Sequence, residues 1–187
     1  MFQKHLNLSP AWLEWAGMAL LGAGLMCWMG PQVWMFQGNL PITPQSLLMV
    51  LWGVLWGGPI GLLASALYLI AGGLGLPVFA DGAHGWEHFM GTTGGFLLAF
   101  PIASWVVGTL ASSLGRWKYG TATLLLLGGQ GLIVALGLLW QRGIVPVETS
   151  WMDTLARLMP AILVKTALGA IVVVFIGRLL TKHEVES

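Results

Sequence analysis

From Trp12 to Leu180 the chain is a succession of apolar runs separated by short breaks, and charged side chains almost never fall inside the runs. Of 187 residues, 57% are hydrophobic and 8% charged; soluble domains carry about 25% charged residues. So little charge cannot cover a water-facing surface. The pattern predicts an all-α integral membrane protein, folded as a single transmembrane domain over residues 1–187. The eleven tryptophans fit a chain with many anchors at the membrane interface. A net charge of +1 gives no basis for a nucleic-acid partner. Cys27 is the sole cysteine, so neither an internal disulfide nor a cysteine metal cluster is available.

Six transmembrane helices are expected, at about residues 12–29, 45–56, 59–72, 94–114, 121–140 and 155–180. A full crossing takes about 20 apolar residues, and the second run is too short for one. Gly57-Gly58-Pro59 breaks it from the third, because proline lacks a donor and clashes with the preceding turn. A short, interrupted helix must be buried by its neighbours or line a cavity. The first run follows Lys4 without a small-residue cleavage pattern after it, which predicts a retained span rather than a signal peptide.

Lysine and arginine set the orientation. With both termini cytoplasmic, the inner side holds Lys4, Arg116, Lys118, Arg178 and Lys182, and the outer side only Arg142 and Arg157. The segments 30–44 and 73–91 contain no lysine or arginine and are expected outside. A loop of this kind is a natural lid over a binding site.

Several side chains stand out. Lys165 sits well inside the last apolar run, where a charge is costly unless paired, so it is a candidate ligand contact, with Asp81 or Glu87 as alternative partners. Gln45 opens the short second helix, where free N–H groups and a carboxamide suit a polar ligand. Ala19 and Ala23, with Ala16, make a small-residue face suited to close approach by another helix, and are the expected partner-protein interface. Gly91, Gly94 and Gly95 allow backbone angles that other residues avoid.

His84-Gly85-Trp86-Glu87-His88 matches H-x-x-E-H, an inverted zinc-protease pattern. That chemistry needs both histidines on one face of a stable helix. Glycines at 82, 85 and 91 argue instead for a polar loop, so a membrane metalloenzyme is the contrasting reading and no metal site is expected. A third reading is a structural assembly subunit without a small ligand. There is no G-x-x-x-x-G-K-[ST] phosphate loop, so ATP hydrolysis would fall to another subunit.

Several blocks together resemble the BioY family, the biotin-binding S components of energy-coupling-factor (ECF) vitamin transporters. They are Pro41-Ile42-Thr43-Pro44-Gln45-Ser46-Leu47, Trp56-Gly57-Gly58-Pro59-Ile60-Gly61, Tyr68, the stretch from Gly72 to Phe79, and Gly91-Thr92-Thr93-Gly94-Gly95-Phe96 running on to Pro101. The resemblance covers about Leu40–Ala111. It implies an ECF S-component-like bundle of six helices in the cell membrane that takes up biotin without a cofactor. It also implies a transmembrane coupling protein and ATPase subunits as partners. Gln45 and Lys165 would then make polar contacts to the vitamin. Tyr68, Phe79 and Trp86 would wall its apolar part, and Thr92, Thr93, Gly94 and Gly95 would let the loop close. One departure bears on the ligand. The family's Pro-Gly-Asp-x-x-Lys is here Pro160-Ala161-Ile162-Leu163-Val164-Lys165, with Ile162 in place of the aspartate. An S component for a different small vitamin is the neighbouring alternative.

Overall fold

The computed structural model describes residues 11–36, 40–114, 117–145 and 150–185. Its elements are α1 (Ala11–Met29), β1 (Trp34–Phe36), β2 (Leu40–Ile42), α2 (Gln45–Trp56), α3 (Gly58–Gly73), α4 (Glu87–Met90), α5 (Gly94–Leu114), α6 (Tyr119–Gly143) and α7 (Trp151–Val185). The six longer helices overlie the six apolar runs, with α6 and α7 extending past the expected 121–140 and 155–180 at both ends. Two features were not anticipated: β1 and β2 form an antiparallel hairpin with Trp34 opposite Ile42, and α4 adds a single helical turn to the loop after α3. Lys4 and Arg116, used above for orientation, lie outside the described residues.

The break between α2 and α3 falls where the sequence places it. Gly57 adopts φ 96, in the left-handed region that costs an L side chain strain but suits glycine. Its N–H still closes the α2 ladder onto the Gly53 carbonyl at 2.8 Å. Pro59 then sits in the first turn of α3, where its missing donor does no harm.

Small residues determine how the helices meet. Gly53 of α2 lies against the Ser104 backbone of α5, and Gly61 of α3 lies against Gly53 and the Ser104 hydroxyl. Ser104 Oγ donates to the Met49 carbonyl across the same crossing at 2.8 Å. Lipid tails are as apolar as leucine, so helices in a bilayer gain from such close packing and from hydrogen bonds rather than from leaving water. α5 packs on α2, α3 and α6; α1 packs chiefly on α3; α7 packs on α6 and touches α2. α2 is thus the innermost helix, with Met49, Val50 and Val54 fully buried.

The outer surface is apolar. Leu124, Leu168 and Phe175 are each more than half exposed, which suits a lipid-facing surface. Among the described residues, three helices are long and apolar enough to cross a membrane: α5, α6 and the Trp151–Leu179 part of α7. α2 has 12 residues, or about 18 Å at 1.5 Å per residue, and cannot cross a core about 30 Å thick on its own.

Candidate binding site

The end of α1, the start of α2 and the end of α3 converge on one glutamine. Gln45 follows Pro44 at the first position of α2, where no side chain caps the helix. Its side chain turns inward and is buried. Nε2 donates to the Gly30 carbonyl and to the Tyr68 hydroxyl, each at 2.9 Å. Tyr68 Oη in turn donates to the Val78 carbonyl at 2.9 Å. Both amide hydrogens of Gln45 are therefore used inside the protein. Its carbonyl oxygen is what it can offer a ligand, so Gln45 selects a donor, such as an N–H group.

An aromatic cluster continues from this network. Tyr68 meets Phe79 edge-on at 5.6 Å, Phe79 meets Phe89 edge-on at 5.7 Å, and Phe89 meets Trp86 at 5.1 Å. Gly72 and Gly73 of α3 admit it: a Cβ at either would collide with the rings of Phe79 and Trp86 respectively. Tyr68 and Phe79 are buried and packed on each other, whereas Trp86 is 58% exposed at the rim. Tyr68 therefore acts first by holding Gln45 and the Val78 backbone, a role that its apolar reading as a wall did not include. Phe89 was missed in the sequence because a phenylalanine beside histidine and methionine carries no distinctive spacing.

Thr92 and Thr93 are exposed, while Gly94 and Gly95 are buried at the start of α5. The expectation of unusual backbone angles at Gly91, Gly94 and Gly95 is not met: the positive-φ glycines among the described residues are Gly57, Gly75, Gly82 and Gly85. Close packing explains Gly94 and Gly95 instead. A Cβ on Gly94 would strike the Phe89 backbone, and one on Gly95 would strike Trp140. The end of α6 holds this segment. Trp140 Nε1 donates to the Gly91 carbonyl and Gln141 Nε2 to the Thr92 carbonyl, both at 3.0 Å.

Lys165 projects from α7 toward the start of α2, 9% exposed, and its ammonium donates to the Ser46 hydroxyl at 3.1 Å. Asp81 and Glu87, expected as its partners, are exposed in the loop after α3. Among the described residues no ion pair joins either to it. The first-turn N–H groups of α2 add the positive end of a helix dipole to the same neighbourhood. An ammonium and a helix start together suit an acceptor oxygen, whether carbonyl or carboxylate. The structure thus brings Gln45, Tyr68, Phe79 and, through Ser46, Lys165 around one recessed helix start. Trp86 lies at the rim, and the Thr92–Gly95 segment lies against α6.

Two other sequence expectations resolve differently. Ala19 and Ala23 are 0% and 8% exposed, so this chain's own helices cover the face expected to meet a partner. On α1 the exposed side chains include Leu20 and Leu21. In the histidine motif, Gly85 has φ 96 and only Glu87–Met90 is helical, so the two histidines do not share a stable helix. Among the described residues no group of three or more His, Cys, Asp or Glu side chains is placed to hold a metal ion.

A sequence model described as the BioY family matches residues 6–184. This chain belongs to the BioY family. The match extends well beyond the Leu40–Ala111 blocks and takes in Lys165. One BioY relative, the probable biotin transporter of Pyrococcus horikoshii, is 35% identical over 144 residues, covering 76% of this chain and 84% of that one. The biotin transporter BioY of Thermotoga maritima is 36% identical over 100 residues, which is 54% of this chain and 58% of its own length. The fold matches a solved S-component for biotin from an ECF-type ABC transporter with a TM-score of 0.74. At 20% sequence identity the match covers 91% of this chain and 95% of that one. At that identity the likeness establishes the architecture, an S-component-like helical bundle. A BioY protein with these apolar helices is a multi-pass membrane protein.

Proposed function

We propose that this chain is the substrate-binding S component of an ECF-type transporter and that its ligand is biotin. It is a transport protein rather than an enzyme. The observation that carries the ligand reading is the buried Lys165 ammonium, held by the Ser46 hydroxyl beside Gln45. Biotin's ureido ring presents one carbonyl acceptor and two N–H donors. Lys165 donates to the carbonyl oxygen, and the Gln45 carbonyl, its N–H groups already committed, accepts from a ureido N–H. Ile162 is buried and offers no acceptor, so the Gln45 oxygen supplies one. Phe79 and Trp86 face the apolar part of the vitamin, Tyr68 fixes Gln45, and Thr92, Thr93, Gly94 and Gly95 form the covering segment.

The whole chain forms one domain in which α1, α2, α3, α5, α6 and α7 lie in the plasma membrane. Both termini are cytoplasmic, an orientation supported by the lysine and arginine asymmetry. A transmembrane coupling protein and ATPase subunits drive release inward. Because Ala19 and Ala23 are covered, the coupling protein meets α1 through exposed residues such as Leu20 and Leu21.

The test is equilibrium binding of biotin to the purified protein in detergent, with thiamine and riboflavin as controls. Saturable binding of biotin alone is expected. A folded protein that ignores biotin and binds a control vitamin would refute the ligand assignment.

A further inference from the structure

The Gln130 amide nitrogen on α6 and the Thr166 hydroxyl on α7 lie deep between the helices with no hydrogen-bond partner among the described residues. The two side chains are 2% and 4% exposed. Buried polar atoms in native proteins are almost always paired, so each exception calls for a reason. Thr166 also departs from its counterparts. Ser65, Thr109, Ser112 and Thr123 each return their hydroxyl to the carbonyl four residues earlier, at 2.7–3.1 Å. The Thr166 hydroxyl makes no such bond.

Helix register puts both beside Lys165. α6 and α7 are joined by a short connection, and a Cβ on Gly169 would meet Leu126 of α6 and Leu47 of α2. One turn back along α7 from Gly169 is Lys165, and one turn forward along α6 from Leu126 is Gln130. The two helices run in opposite directions, so those steps lead to the same level. Thr166 adjoins Lys165 in sequence. On the α2 side, Ser46 holds the ammonium and Val50 faces Gly129. Register thus sets Gln130 and Thr166 at the level of Lys165, where α2, α6 and α7 meet.

We propose that Gln130 is a specificity-determining ligand contact that pairs edge to edge with the ureido group. This rests on the reading of biotin as ligand. A carboxamide carries a donor and an acceptor side by side. One edge of a cyclic urea carries the complementary pair, a carbonyl oxygen and the adjacent N–H. The Gln130 Nε2 donates to the ureido oxygen while its Oε1 accepts from that N–H. Lys165 and Thr166 add donors to the same oxygen, and Gln45 takes the second N–H. Every polar atom of the ring then has a partner, and the two orphaned protein atoms are satisfied only when ligand is bound.

The experiment uses the full chain in detergent and measures Kd for biotin and for 2-iminobiotin, in which a nitrogen bearing hydrogen replaces the ureido oxygen. Gln130→Met keeps the length of the side chain and removes both polar atoms, so the fold should tolerate it. Biotin Kd should rise tenfold or more and 2-iminobiotin Kd by clearly less, because the guanidinium-like ring of 2-iminobiotin, protonated at neutral pH, makes only the N–H bond to Oε1 and cannot accept from Nε2. An unchanged biotin Kd in the folded variant, or an equal rise for both ligands, overturns the proposal, since a packing role would affect both alike. Should Gln130→Met not fold, Gln130→Asn draws the amide back by one methylene and is held to the same outcomes. Wild-type protein that binds no biotin removes the underlying ligand reading and this contact with it. Wild-type binding with an unaffected variant removes the contact alone.

Discussion

Lys165 and Tyr68 are both buried polar residues, yet the structure gives them opposite accounts. Tyr68 is satisfied: its hydroxyl accepts from Gln45 and donates to Val78. Tyr68→Phe leaves the Val78 carbonyl and one Gln45 N–H unpaired, a loss of about 1–3 kcal/mol. Thermal unfolding in detergent should show a lower midpoint, and an unshifted midpoint would mean that the network carries no stability. Lys165 has one hydroxyl partner and no counter-charge among the described residues. Lys165→Met keeps the aliphatic stem and removes a cation that is expensive to bury. Biotin affinity should fall tenfold or more, about 1.4 kcal/mol, while the ligand-free midpoint stays level or rises. A lower midpoint with affinity retained would mark the lysine as structural. The sequence singles out Lys165 because a charge inside an apolar run is conspicuous. Gln130 is also a polar side chain in an apolar run, but a neutral amide has many innocuous uses in a helix. Only its missing partner in three dimensions distinguishes it.

At the scale of elements, two glycines illustrate two different requirements. Gly57 has open space around its would-be Cβ but adopts φ 96; Gly95 has no such angle but lies against Trp140. Gly57→Ala should cost about 1 kcal/mol through backbone strain. Gly95→Ala should cost about 1–3 kcal/mol through overpacking at the α5–α6 crossing. Pairing each with Trp140→Ala separates the causes. Removing the indole should relieve the Gly95 substitution and leave the Gly57 one untouched. If relief fails at Gly95, steric contact with Trp140 is not what glycine provides there. The break at Gly57 is legible in the sequence because Gly57-Gly58-Pro59 states a local backbone demand. The role of Gly95 is not, since its neighbour comes from α6, 45 residues further along the chain. The β1–β2 hairpin is equally illegible: three-residue strands leave no usable alternation.

For the whole molecule, the proposed orientation puts the loop after α3 and the connection between α5 and α6 on opposite sides of the membrane. With Cys27 replaced, a cysteine introduced at Asp81 should react with a membrane-impermeant maleimide on intact cells, and one at Lys118 only after permeabilisation. The reverse pattern would invert the topology and move the binding site to the cytoplasmic side. Membrane residence and the existence of six apolar helices could be read from the sequence, whereas α6 and α7 run beyond the ends expected for them. The first two depend on apolar run length and on glycine and proline breaks, which are local properties. The BioY membership could likewise be read from short blocks between Leu40 and Ala111. Which small residues are covered was decided by the tertiary structure alone, and it places Ala19 and Ala23 inside. The same holds for the start of α2, where Gln45, Tyr68 and, through Ser46, Lys165 are brought together from three helices. Helical periodicity tells which side chains share a face. It does not tell which neighbouring helix that face meets, because that follows from the packing of all the helices at once.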